Sequence, residues 1–584
     1  MAVFPAGSNA SRPDVAGAPA PTVVASFADS SSTHDNIVKP VTLADGRLLG
    51  LSILTTGRHQ EMLGRYSSDE GTTWGAPQRL FALPEHVGGF GYFDAFTDRD
   101  GEVHIFYLND GNTGTVLPMS NDDPPVRPGR VLDIWQVMSS GKALQWGPAR
   151  SIWTGRAGDI LSVIQLRSGR ILLPISYMTD RSWGHRGEGF RAYTYVGSFS
   201  ASAIYSDDGG RTWRQSSDEL VIPAPDLSAI GGAEPVVIEL KDGRVWMLIR
   251  TQLGRFYESF SRDGGEHWTA PKPSNIVSSE SPAALVRLPD QRILMIWNEA
   301  ERYPYAYGGR QVLHAALSAD EGRTWTGHRE IVRDPARRDP PPAHGDWGTS
   351  YAFPALTRSG DVVFSTWVQT GIPRSMYRLS PQWLDQTQQS TTFSQGIDDW
   401  STFGTRGVEL GPAPDGGDSR VLAIRRGDTD WPTGAVWNFP AGPTGRLRLR
   451  LMLKRGFGGD TLGLTDHYSV PFDDRDTFFN VFNIPISADG RLLSANVELE
   501  RWHDVVLDWD TNREQCLVTV DGKRAAVVAA QRVSLAIDYL RFHPLPHQPD
   551  DGLLISAVDV DVVPAAAGSK PNVAPQSGRA TGSE

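Results

Sequence analysis

Four side chains are of types suited to carboxylate binding and proton transfer: Glu234, Arg250, Arg310 and Tyr351. Glu234 and Arg250 lie sixteen residues apart across an Asp242-Gly243 turn, Arg310 precedes Ser318 by eight, and Tyr351 precedes Gly360 by nine. A guanidinium grips a carboxylate through two parallel hydrogen bonds, and a carboxylate can take the proton of a neighbouring nucleophile. In the stretch 55–61 (TTGRHQE), His59 and Glu61 can both titrate, and a histidine exchanges protons near neutral pH. Plainer readings stand beside each. Glu234 and Arg250 can simply pair across two strands, Arg310 can be a solvated strand-end residue, Tyr351 can be packing, and His59 can belong to a surface loop.

The elements that position these residues repeat. The pattern Ser-x-Asp-x-Gly-x-x-Trp occurs at 67–74, 206–213, 261–268 and 318–325, and a degenerate copy at 139–146 has Gly141 in place of the Asp. Repeats roughly 50 to 75 residues apart mark stacked supersecondary units. Each copy reads as a turn: Asp or Ser binds backbone amides, Gly takes positive φ, and Trp plugs the turn onto a neighbouring strand. Between copies a second unit recurs six times, an apolar strand, a turn ending in Gly (Gln in one copy), and another apolar strand, with turns at Gly46, Gly101, Gly169, Gly243, Gln291 and Gly360. Short Val-, Ile- and aromatic-rich runs bounded by Gly, Asp and Pro are strand punctuation. Almost nothing has helical periodicity. Six four-stranded sheets set radially make a six-bladed β-propeller. The segment 22–27 is placed to close the ring with the last blade, and a seventh blade is the alternative.

At 584 residues the chain exceeds what one core normally supports. The repeats stop after Tyr377. Runs at 446–453, 502–509 and 516–520, followed by the turn Asp521-Gly522, alternate as strands do, which predicts an all-β chain with a C-terminal antiparallel β-sandwich. The expected division is a disordered segment over 1–21, a propeller over 22–385, a sandwich over 390–565 and a disordered tail over 566–584. Insertions at 112–130, 179–196 and 333–347 are expected to be loops rimming a site. A net charge of −12 argues against nucleic acid or an anionic membrane as partner. The single Cys516 excludes an intrachain disulfide, and no Cys/His spacing indicates a metal or cofactor. No apolar run is long enough to span a membrane. Residues 1–20 lack the features of a signal peptide. Export would require a mature or trimmed form, and the chain would otherwise be cytoplasmic.

The turn repeats resemble the Asp boxes (BNR repeats) of the sialidase superfamily, and the sandwich resembles concanavalin- or LamG-like jelly rolls attached to carbohydrate-active enzymes. The first resemblance implies three arginines on a substrate carboxylate, a Tyr nucleophile activated by a Glu, and a loop Asp as general acid. Residues 231–250 then supply Glu234 as activator and Arg250 as carboxylate ligand, Arg310 a second ligand, and Tyr351 the nucleophile. Residues 157–177 match a stretch near the sialidase pocket. Tyr177 is a candidate substrate platform, and Asp159 and Asp94 are candidates facing the axis. Two departures stand out. Asn36 occupies the place of the first arginine in Arg-Ile-Pro, leaving Lys39 or His34 to supply part of the positive charge, and the acid loop has no Asp, leaving His59 or Glu61. Losing one clamp, worth about 1.5–3 kcal/mol for a charged hydrogen bond, relaxes the fit to sialic acid and admits a uronic acid.

Three functions follow. The first is exo-hydrolysis of a terminal acidic sugar from a glycan or oligosaccharide, with Tyr351 attacking and Glu234 activating it. The second is a polysaccharide lyase cleaving a uronate linkage by β-elimination, which would reveal itself by ultraviolet absorbance of the unsaturated product. The third is a non-catalytic glycan-binding propeller, since fold does not imply function. Oligomeric state is not legible.

Overall fold

A computed structural model describes residues 18–565 apart from 27–37, 57–58, 84–92, 117–126, 142–143, 180–182, 186–192, 196–197, 223–229, 301–308, 340–347, 368–374, 404–405, 417–418, 430–431, 471–473 and 546–547. Six antiparallel sheets form a six-bladed propeller. Blade one runs Lys39–Thr42, Leu48–Thr56, His59–Ser67 and Gln78–Leu83 from the inner strand outward. Blade four runs Ala233–Glu239, Val245–Arg250, Arg255–Ser261 and Lys272–Val277. Blade five runs Ala284–Arg287, Ile293–Trp297, Val312–Ser318 and Thr326–Arg333. In blade six, Ser350–Leu356, Val362–Trp367 and Ser375–Leu379 are joined by Thr22–Ser26, with Thr22 opposite Arg378. The N-terminal strand closes the ring, as its position in the sequence predicts.

The apolar runs of the second strands are continuous because each strand is buried on both faces. Side chains alternate across a strand. In blade four Val245 and Met247 therefore join a core with Leu172 and Tyr205 of blade three, while Trp246 and Leu248 join Ile293 and Met295 of blade five. The same division repeats around the ring and ends with Leu48 of blade one against Val363 and Met376 of blade six.

The four full repeats are turns of one design. The Ser hydroxyl accepts from the Gly amide at 2.8 Å in each, and the indole N–H of Trp74, Trp213 and Trp268 donates to that Gly carbonyl at 3.0–3.1 Å. Gly265 has φ +93°, and a Cβ there would lie 2.5 Å from Leu172 Cδ1. Gly265→Ala is therefore expected to cost about 1–3 kcal/mol, read as a lower urea midpoint. An unchanged midpoint would contradict this account of the turn.

Two insertions expected as loops are partly β. The hairpin Val103–Val116/Arg127–Ser140 extends into 112–130, and Trp183–His185 pairs with Tyr193–Tyr195 within 179–196. Continued strand pairing satisfies backbone groups that a plain loop would leave to water.

Beyond the propeller, two antiparallel sheets of eight and seven strands enclose one core. In Thr444–Leu453, Leu447, Leu449 and Leu451 are buried in that core while Arg446, Arg448 and Arg450 face outward. This unit is seated on blade five. Tyr539 Oη donates to Glu330 Oε1 at 2.8 Å, and His328 lies 2.6 Å from both Glu299 and Asp538. Among the described residues no helix is long and apolar enough to cross a membrane.

Candidate active site

Tyr351 and Glu234 are each the second residue of an inner strand, in blades six and four. Pairing with the neighbouring strand slips at both places, between Ser350 and Phe353 and between Ala233 and Val236. Such bulges re-aim a side chain. Both residues take left-handed backbone, φ +56° for Tyr351 and +45° for Glu234. For non-glycine residues this conformation costs of order 1–3 kcal/mol and persists only where surroundings enforce it. Here the enforcing contacts include the Glu234 amide, which donates to Ser176 Oγ of blade three at 3.1 Å.

The two side chains meet. Tyr351 Oη donates to Glu234 Oε1 at 3.0 Å and accepts from Arg250 Nη1 at 2.8 Å. Arg250, opposite Ala233 at the end of blade four's second strand, also gives Nη1 to Glu234 Oε2 at 2.5 Å and Nη2 to Glu280 Oε1 at 3.2 Å. Arg310 lies with its guanidinium carbon 5.3 Å from the Tyr351 ring centroid, and its Nη2 donates to the Glu280 carbonyl at 2.8 Å. Three blades thus converge on one phenol. Burial raises the Tyr351 phenol above its ordinary range, Glu234 raises it further, Arg250 and Arg310 oppose this, and Asp159 adds to the rise. The phenol is therefore protonated at neutral pH, with Glu234 placed to receive the proton as charge develops. Arg250 is held firmly cationic: burial opposes its charge, and Glu234, Tyr351 and Glu280 outweigh burial.

Other selected residues are distributed around this cluster. Half-buried Asp159 is close enough to act on the phenol electrostatically. Lys39 Nζ lies 2.7 Å from Asp94 Oδ1, so these two form one buried ion pair joining the inner strands of blades one and two. Half-buried Tyr177 packs against Trp153 with ring centroids 5.7 Å apart. His59 and Glu61 lie on the blade-one hairpin. His59 is exposed opposite Thr56, and Glu61 pairs with Arg79 of the outer strand at 2.9 Å. His34 and Asn36 lie outside the described residues. Sequence reasoning missed Glu280. Its only cue was a carboxylate at 280, shortly before the inner strand Ala284–Arg287, much as Asp159 precedes Ile164–Gln165.

Comparison with known proteins agrees with this architecture. A model described as a BNR repeat-like domain matches residues 95–365. Over that stretch the chain resembles the BNR propellers of the sialidase superfamily. A sialidase of Micromonospora viridifaciens is 27% identical over 313 residues, covering 48% of this chain and 42% of its own. A Clostridium perfringens sialidase is 26% identical over 242 residues, covering 38% and 59%. The chain thus matches less than two thirds of the length of these relatives. Among solved structures, a Trypanosoma rangeli sialidase in complex with sialic acid aligns over 94% of this chain and 97% of its own, at 14% identity and a TM-score of 0.41. Blades set radially bring their inner ends together at one axis, which is how residues from blades four, five and six share one site.

Proposed function

We propose that the chain is a glycoside hydrolase of the sialidase kind, releasing a terminal acidic sugar, a sialic or uronic acid, from glycans. The observation that carries this is the hydrogen bond from Tyr351 Oη to Glu234 Oε1, with Arg250 Nη1 donating to the phenol oxygen. Tyr351 attacks the anomeric carbon as Glu234 takes its proton. A nucleophile that is neutral at rest avoids the repulsion a carboxylate would meet beside an anionic sugar, which accounts for a departure from the usual carboxylate pair. Arg250 steadies the developing phenolate, and Arg310 approaches from the ring face. Protonation of the leaving oxygen falls to His59 or Glu61 on the blade-one hairpin, and Lys39, Asp94, Asp159, Tyr177 and Asn36 are assigned to the walls of the pocket. The two-sheet unit is read as a concanavalin- or LamG-like jelly roll.

The test is a panel of aryl glycosides of sialic and uronic acids, with uronate polysaccharides alongside, comparing wild type with Tyr351→Phe. Wild type is expected to release the aryl group without new unsaturated-uronate absorbance. The variant, which keeps the ring but has no oxygen to attack with, is expected to lose turnover of every substrate. Equal rates in the two proteins would refute the assignment.

A further inference from the structure

Arg250 is already occupied by carboxylates that belong to the protein. Its Nη1 donates to Glu234 and to Tyr351, which uses both hydrogens of that nitrogen, and its Nη2 donates to Glu280. Its Nε is fully buried without a hydrogen-bond partner, so the side of the guanidinium formed by Nε and Nη2 is closed to a ligand. While Glu280 stays in place, Arg250 has no two-point fork to offer a substrate carboxylate. Glu280 is anchored where this matters. Its backbone carbonyl accepts from Arg310 Nη2 at 2.8 Å, so the residue stands between the two arginines from which a sugar carboxylate would be held. Neighbouring Ser279 and Ser281 are buried, and the Ser281 amide donates to the Ser279 carbonyl at 2.8 Å.

We infer that Glu280 is a specificity-determining residue that competes with the substrate's own carboxylate for Arg250, and so sets the preference between acidic and uncharged sugar termini. This rests on the reading of the site as a glycosidase centre. An acidic sugar must displace Glu280 or accept a third carboxylate on the same guanidinium. A neutral analogue, such as the methyl ester, pays neither penalty. Specificity arises here from a repulsive element built into the pocket as much as from an attractive one. Glutamine keeps the acceptor oxygen facing Arg250 and removes the charge, so Glu280→Gln tests the competition with little change in shape.

The experiment has two arms. In the first, aryl glycosides of sialic and glucuronic acid and their methyl esters are turned over by wild type and by Glu280→Gln. The variant is expected to raise the ratio of acid to ester kcat/KM about tenfold, mainly through a lower KM for the acid. A ratio unchanged within twofold overturns the inference even if wild type is an active hydrolase. In the second, free N-acetylneuraminate and glucuronate are titrated calorimetrically into Tyr351→Phe and into Tyr351→Phe/Glu280→Gln, where turnover plays no part. Tighter binding to the double variant supports the competition even if no glycoside is hydrolysed, in which case the hydrolase reading alone fails. Equal affinities, or binding to neither variant, overturn it. A purely structural role for Glu280 would weaken acid and ester alike and leave their ratio where it was.

Discussion

Glu234→Gln is expected to lower kcat by about 100- to 10,000-fold, the usual worth of a positioned general base, with a much smaller change in KM. The reason lies in the state of the phenol. Burial and then Glu234 hold Tyr351 protonated, and the arginines only partly oppose them. No standing phenolate is therefore available, and attack requires the proton to leave as the new bond forms. Glu234 Oε1, at 3.0 Å, is positioned to receive it. Glutamine preserves volume and keeps one acceptor oxygen for Arg250, with its NH2 turned to Tyr351 Oη, yet it cannot take the proton. Steady-state kinetics on whichever glycoside wild type cleaves best would measure the effect. A variant within threefold of wild type would mean that the Tyr351–Glu234 contact is architectural, and that the bulges and left-handed backbone at both residues serve packing.

Replacing His328 by leucine is expected to destabilise the protein by about 3–5 kcal/mol, the usual cost of removing one partner from a buried ion pair. His328 lies 2.6 Å from Glu299 of blade five and 2.6 Å from Asp538 of the sandwich, with its ring stacked 4.9 Å from His314. Burial alone would strip its proton, but Glu299 and Asp538 outweigh burial and push its pKa up to about 10. His314, buried and facing the positive charges of His328 and Arg333, is held neutral. Glu330, bonded to Tyr539 and paired with Arg333, completes the charged surroundings. The folded pKa of His328 is raised above its unfolded value near 6.5. Its stabilisation is accordingly full below about pH 6.5 and is lost as pH rises through about 10. Thermal midpoints of wild type and His328→Leu across this range should converge toward the alkaline end. Parallel curves, or a loss below 1 kcal/mol at pH 6, would show that the cluster does not hold the two units together.

Much of the fold was legible because its signals are local. An Asp box is a hydrogen-bonded turn whose Ser, Asp, Gly and Trp contact one another within eight residues, so the pattern survives in the sequence wherever the turn does. The unbroken apolar runs of the second strands were equally direct, since burial on both faces leaves no polar alternate. The site was partly legible for the same reason. Glu234 and Arg250 bracket a single hairpin, and Tyr351 sits at a fixed distance before a turn, so their positions could be matched to those the resemblance to sialidase blades implies.

What spacing could not supply was partnership between blades. Glu280 meets Arg250 only because the chain passes from blade four to blade five beside the axis. Lys39 proved to be engaged by Asp94 because the inner strands of successive blades lie side by side. His328 and Asp538 are separated by most of the sandwich in sequence and by 2.6 Å in space. The residue types and turns of this protein were thus determined locally by short-range hydrogen bonding and strand periodicity. Which charges neutralise one another, and hence what the pocket will accept, was decided only by tertiary packing, because Coulomb interactions depend on distance through space and are indifferent to separation along the chain.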